Sequence, residues 1–423
     1  MKPSLLFSLI LTSCVSKPIR QPAADYVAKD QRSECSEFID SISGKFKHGF
    51  VYVPKDWQNP ANGRLRIFYY WKEAQGSDLD PIIMFNGGPG GASWKLSQRF
   101  NEKNQLDKIT QIYIDQRGTG CSTPYPDKIS TQNELGLYSS SSIVKDAEFI
   151  RKTVFKLNKW KVFGQSYGSA IVHRYMVDAP EGLSAAYAHG FAVMHNSIDY
   201  RSVQSIHRLK SLRRYLDKYP EDRALLEQLI AANKKFEFKV ENTPDARNWA
   251  EIHTSFNQSV EKHKFSKNES VSPIRENEAE MSMRETVIWT IVKQEYYDED
   301  YNSADPFGNK IAETVALKAA KNKLEIFFIN KPQANPNLEQ LNETNRAVLG
   351  LRVTLSSLKE KLNRFSEVKF YLYSAEYDLF SPPDTFRDEV QFLGQRIVYR
   401  NLRELGHFDY ASSGEMINDI LSP

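Results

Sequence analysis

The chain has 423 residues, 40% of them hydrophobic and 26% charged, with a formal net charge of +3. That length calls for one large domain with an insertion or for two domains, and the composition excludes a disordered chain. A near-neutral balance without a Lys/Arg-dense run gives no electrostatic case for a nucleic-acid partner.

Met1 and Lys2 precede the apolar stretch LLFSLIL, which is too short to span a bilayer as a helix. A charged start, a short apolar run and small residues before a cut read as a secretory signal peptide over residues 1–13. Leu11-Thr12-Ser13-Cys14 resembles the bacterial lipobox. That resemblance implies export, lipidation of Cys14 and anchorage to a membrane of the bacterial cell envelope, on its periplasmic or surface side. An ordinary signal peptide with an incidental cysteine is the plainer alternative. Residues 14–45 form the N-terminal segment, of which 15–33, polar with Pro18 and Pro22, read as a tether. Cys35 and Cys121 remain, either as a disulfide or as two free thiols, and no Cys/His grouping has zinc spacing.

From residue 46 the pattern turns regular. FKHGFVYV (46–53) and LRIFYYW (65–71) are β-rich runs around the turn-prone PKDWQNPANG, and they predict an antiparallel pair. Short apolar strands follow at 81–85 and 109–114. The first is broken by Asn86-Gly87-Gly88-Pro89-Gly90-Gly91 and the second runs into Asp115-Gln116-Arg117-Gly118-Thr119-Gly120. Helical spacing over 142–157, with Ser141 or Ser142 as its cap, leads to a strand at 160–163 and a helix after it. Past a strand-like stretch at 184–194, residues 196–365 are charged and helix-periodic, which predicts an inserted helical region. Strand signals return at 368–373 and 396–399, with helices near 384–393 and 411–421. Strands alternating with helices on both sides of the insert predict an α/β domain with a mostly parallel sheet.

The chemistry centres on Gly164-Gln165-Ser166-Tyr167-Gly168. This G-x-S-x-G pattern, between a strand and a helix, is where a serine sits on a sharp turn with its hydroxyl exposed. Such a serine needs a base and an orienting acid, which follow it in the chain order Ser, acid, His. Among eight histidines, His407 in Glu404-Leu405-Gly406-His407-Phe408 comes just after the last predicted strand. Histidines 207, 253 and 263 fall in the charged insert and read as solvated. His173 reads as packed on a helix, and His189 and His195 flank a predicted strand. Asp378 stands at the turn after strand 368–373, with Glu376 as competitor; Asp384 reads as a helix cap and Asp409 as a surface charge. The glycines at 87–91 let a backbone approach an oxyanion closely. The plain alternative is a phosphate-binding turn, but no Gly-x-Gly-x-x-Gly phasing and no Gly-Lys-Ser/Thr accompanies the glycines to argue for a nucleotide.

Taken in order, GGPGG, DQRGTGCS, GQSYGS, YSAEYDLFSPP and ELGHF resemble the blocks of the proline iminopeptidase and tripeptidyl aminopeptidase family of α/β-hydrolases. VYVPKDWQNP also resembles the start of the secreted tripeptidyl aminopeptidase branch. The resemblance covers residues 46–195 and 366–423, two parts of an α/β-hydrolase core, with 196–365 as a helical cap. It implies Ser166 as nucleophile, His407 as base and Asp378 as orienting acid. Gly88 and Tyr167 donate the oxyanion N–H groups in this scheme, with Gly87 as an alternative to Gly88. Asp115 and Arg117 are implied to buttress the nucleophile turn. The family's usual histidine before GGPGG is Asn86 here, an amide in place of an imidazole. Acidic cap residues bind the substrate's α-amine in the iminopeptidases. Glu295 is the choice here, over Glu285 and Asp298-Glu299-Asp300, with a solvated face as the plain alternative.

Together these readings describe a serine aminopeptidase acting on peptides with a free N-terminus, needing neither metal nor organic cofactor. An esterase with the same triad and a non-catalytic envelope protein on the same fold are the alternatives. The anchor has its own test: Cys14→Ala should move the protein from the membrane to the soluble fraction, and retention on membranes would remove the lipobox reading.

Overall fold

A computed structural model describes residues 29–193, 206–223 and 353–422, with gaps at 77, 88–89, 103–104, 126–135, 208–209, 211–212 and 379. The expected site residues Cys14, Gly88 and Glu295, and most of the expected cap, lie outside the described residues. Eight strands make one sheet: β1 (Lys47–Pro54), β2 (Arg64–Lys72), β3 (Ile82–Phe85), β4 (Gln111–Asp115), β5 (Trp160–Gln165), β6 (Leu183–His189), β7 (Lys369–Ala375) and β8 (Ile397–Leu402). Their spatial order is β1-β2-β4-β3-β5-β6-β7-β8. β2 runs antiparallel to both β1 and β4, and all other neighbours are parallel. The predicted early antiparallel pair and the parallel remainder are both present.

Seven α-helices are described in full: α1 (Lys29–Ile42), α2 (Trp94–Asn101), α3 (Ser140–Phe149), α4 (Tyr167–Asp178), α5 (Leu355–Arg364), α6 (Arg387–Leu393) and α7 (Gly414–Leu421). They cover both faces of the sheet, which is why the inner strands are apolar at nearly every position. Alternation still sorts the side chains. Ile83, Phe85, Ile112, Val162, Ala186 and Leu372 join Val144, Ile171 and Leu358 on one face. Ile82, Met84, Tyr113, Phe163, Tyr187 and Tyr373 join Phe100, Met416 and Ile420 on the other.

Three details differ from the sequence expectations. The cap of α3 is Ser139 rather than Ser141 or Ser142; its hydroxyl accepts the Ser142 N–H, and both expected residues are buried inside the helix. Residues 29–33, expected in the tether, begin α1. That helix brings Cys35, Phe38, Ile39 and Ile42 against the sheet and joins Cys35 to Cys121 in a disulfide. The bridge closes a loop of 86 residues, long enough for a chain-entropy effect on the order of 4–5 kcal/mol. Finally, α5, within the span expected for the insert, buries Leu355, Leu358 and Leu362 in the sheet's core.

Candidate active site

Ser166 joins β5 directly to α4 with no intervening residue, so the chain must reverse within one peptide unit. It does so at φ 55°, ψ −121°, a region that a non-glycine residue enters only under constraint. Glycines on either side supply the constraint. A Cβ on Gly164 would lie 2.0 Å from the carbonyl oxygen of Gly168, and one on Gly168 would lie 2.1 Å from that of Phe85. Only bare backbone lets the helix start so close to the sheet. The Ser166 N–H donates to the carbonyl of His189 at the end of β6 (2.7 Å), which pins the turn to the next strand.

The acid and the histidine meet at the same edge. Asp378 follows β7 and is fully buried; its Oδ2 accepts the Nδ1–H of His407 at 2.7 Å, while Oδ1 accepts the N–H groups of Phe380 and Ser381, both at 2.8 Å. Burial alone pushes this carboxyl upward. The His407 charge and hydrogen bond and the Ser381 N–H outweigh that, and they hold Asp378 below the ordinary carboxylate range. An ionised Asp378 therefore fixes the Nδ1–H tautomer of His407 and leaves Nε2 as the basic nitrogen. Glu376, the competitor, instead accepts the N–H of Glu404 at a partly exposed position.

The loops are cross-linked around Ser166. Gln165 Nε2 donates to the carbonyl of His407 (3.3 Å), and Gly190 lies so near the imidazole that a Cβ there would be 2.9 Å from its Cε1. Asp409, expected as a surface charge, accepts the Gly406 N–H and shapes the turn that carries His407. The loop after β3 passes over the serine, since a Cβ on Gly87 would lie 2.7 Å from that of Ser166. Asn86 closes this loop by donating from Nδ2 to the Ala92 carbonyl (2.7 Å), the bridging that an amide can provide in place of an imidazole. Tyr167 opens α4, where its N–H belongs to the electropositive first turn. Gly88 lies outside the described residues, as does Glu295.

Asp115 and Arg117 tie neighbouring loops and helices together through buried polar contacts. Asp115 accepts from the Ser93 N–H and hydroxyl at the head of α2 and from the Cys121 N–H. Arg117 pairs with buried Asp146 on α3 and bonds carbonyls at the end of β1 and at Leu137. It is Gln116, between them, that reaches the site's loop, donating to the Asn86 carbonyl at 2.9 Å.

Three other histidines are informative. His189 lies beneath His407, with ring centroids 6.3 Å apart, and burial with the His407 charge pushes its pKa down to about 3. It is a neutral ring in the core, not a second base. His173 is packed, as expected: Nδ1–H donates to the Ser169 carbonyl and Nε2 meets Glu389, whose other oxygen accepts the Val193 N–H. His207 is not solvated as expected. It is half-buried, and burial lowers its pKa against the opposing pull of Asp378 and Asp384. Phe380 and Phe408, which the sequence reading passed over, flank the His407 ring at 4.9 and 5.0 Å.

The family described as alpha/beta hydrolase fold matches residues 80–250. The sheet order, the serine turn after β5 and that match agree. The chain has the α/β-hydrolase fold. Among the curated relatives it matches are proline iminopeptidases. That of Aeromonas sobria is 26% identical over 208 residues, covering 46% of this chain and 49% of the relative. That of Arabidopsis thaliana is 30% identical over 153 residues, covering 36% and 37%. That of Neisseria gonorrhoeae is 36% identical over 113 residues, covering 26% and 33%. The chain thus matches a third to a half of these relatives' length. Among solved structures, the proline iminopeptidase of Mycobacterium smegmatis aligns with a TM-score of 0.43 at 14% identity, covering 88% of this chain and 96% of that one.

Replacing Gly164 by alanine tests whether the turn is as tight as described. The added methyl meets backbone rather than a movable side chain, so Gly164→Ala should lose about 1–3 kcal/mol of stability in urea unfolding, or fail to fold. An unchanged unfolding midpoint would contradict the packing.

Proposed function

We propose that the protein is a serine aminopeptidase that removes N-terminal residues or short peptides through an acyl-serine intermediate. One observation carries the reading: a strained, partly exposed Ser166 follows Gln165, whose amide bonds the loop on which His407 is already oriented by a buried, ionised Asp378. The neighbourhood of proline iminopeptidases favours a peptide over an ester as substrate.

In this mechanism His407 Nε2 takes the Ser166 proton as Oγ attacks the scissile carbonyl, and Asp378 stabilises the imidazolium. The N–H of Tyr167, with that of Gly88 or Gly87, receives the oxyanion. Collapse of the tetrahedral intermediate breaks the C–N bond, and His407 returns its proton to the leaving amine. Water, deprotonated by the same imidazole, then releases the acyl group. A carboxylate of the insert, Glu295 by preference, pairs with the substrate's α-ammonium and confines cleavage to free N-termini. The same reading has the chain exported and held to the envelope through acylated Cys14.

Aminoacyl and short peptidyl anilides with free N-termini should turn over far faster than their N-acetylated counterparts. Ser166→Ala should lower kcat by about four orders of magnitude or more without unfolding the protein. Activity should fall toward acid pH, since a protonated imidazole cannot accept the serine proton. Faster turnover of blocked substrates or simple acyl esters would replace the aminopeptidase reading with an esterase.

A further inference from the structure

Near His407 stands a cation that the triad does not use. Arg99, in the last turn of α2, is half-buried and donates from Nη1 to the hydroxyl of Tyr410 at 3.2 Å. Its guanidinium lies over the ring of Phe408, 4.9 Å from the centroid, and beside that of Tyr410 at 5.7 Å. Among the described residues no carboxylate pairs with it, and a guanidinium has five N–H donors, of which that single bond occupies one.

Phe408 is also the residue next to His407, and its ring is 5.0 Å from the imidazole. Phe380 packs on the imidazole at 4.9 Å from another direction. Both phenyl rings are more than a third exposed, so they present an open apolar border to the catalytic histidine. With 4.9 Å from the guanidinium carbon to the Phe408 ring and 5.0 Å from there to His407, Arg99 lies within about 10 Å of the imidazole, the reach of two or three extended residues.

We infer that Phe380, Phe408 and Arg99 form a leaving-group subsite that accepts a short fragment with an apolar side chain and a free terminal carboxylate. The inference rests on the acyl-serine reading, because His407 protonates the leaving group and whatever borders His407 therefore borders that group. Apolar atoms beside the scissile bond pack on the two phenyl rings. The carboxylate at the far end meets the guanidinium, whose planar fork suits a carboxylate better than a point charge would. Stacking on Phe408 and the bond to Tyr410 hold the fork in place, so little freedom is lost on binding. Peptides of a few residues, with both termini free, are the substrate class this arrangement selects.

The test compares free-amine peptides of two to four residues, each with a terminal carboxylate or the corresponding carboxamide. The wild-type protein should prefer the acid by about tenfold or more in kcat/KM, the usual scale for one charge-assisted pair. In Arg99→Gln that acid-to-amide ratio should fall to near one, and Arg99→Lys should restore part of it. A wild-type ratio near one, or an Arg99→Gln effect equal on both series, overturns the subsite. The wild-type ratio decides alone if the variants do not fold. Hydrolysis of 4-acetoxybenzoate against 4-acetoxybenzamide separates the two proposals. If peptides are inert but the anionic ester is preferred through Arg99, the aminopeptidase reading falls and the subsite stands. If peptides are cleaved without regard to the carboxylate, the reverse holds.

Discussion

The backbone of Ser166 is the constraint on which the rest of the site depends. A residue at φ 55° costs on the order of 1–3 kcal/mol and persists only where its surroundings over-determine it. Here they do so from three directions. Gly164 and Gly168 face each other without side chains, the Phe85 carbonyl closes on Gly168, and the His189 carbonyl takes the Ser166 N–H. Each contact comes from a different strand among β3, β5 and β6, which are adjacent in the sheet. The strand order is therefore part of the site.

Because β3, β5, β6, β7 and β8 run parallel, their carboxyl ends lie along one edge, where an open α/β sheet gathers its functional loops. Polar side chains between those loops replace what a continuous strand would have supplied. Gln165 reaches the His407 loop, Gln116 and Asn86 hold the loop after β3, and Asp409 shapes the turn before His407. Two other histidines near the site serve the packing instead. His189 is neutral beneath the catalytic ring, and His173 joins α4 through Glu389 to Val193, beyond the end of β6.

Much of this was legible in the sequence because it rests on local pattern. Apolar runs broken by glycine-rich turns marked the strands, a place after the last strand and chain order set His407 above the other histidines, and the turn after its strand set Asp378 above Glu376. What escaped was of two kinds. The helix at Lys29–Ile42 is mostly polar, and its apolar positions at Cys35, Phe38, Ile39 and Ile42 carry a helical spacing that a tether reading overlooks. The braces were invisible for a different reason. The contact of Gln165 with His407 spans 242 residues and that of His173 with Glu389 spans 216, so no window on the sequence brings them together. The burial of His207 and the phenyl rings flanking His407 likewise depend on tertiary contact, and composition alone assigns a charged stretch to solvent.

The account stands or falls on whether Ser166 is activated by the His407–Asp378 pair. An alkyl fluorophosphonate, followed by peptide mass spectrometry, reads this directly. The account predicts stoichiometric phosphonylation at Ser166, slowed by orders of magnitude in His407→Ala. No adduct at Ser166, or labelling that is indifferent to His407, would contradict it.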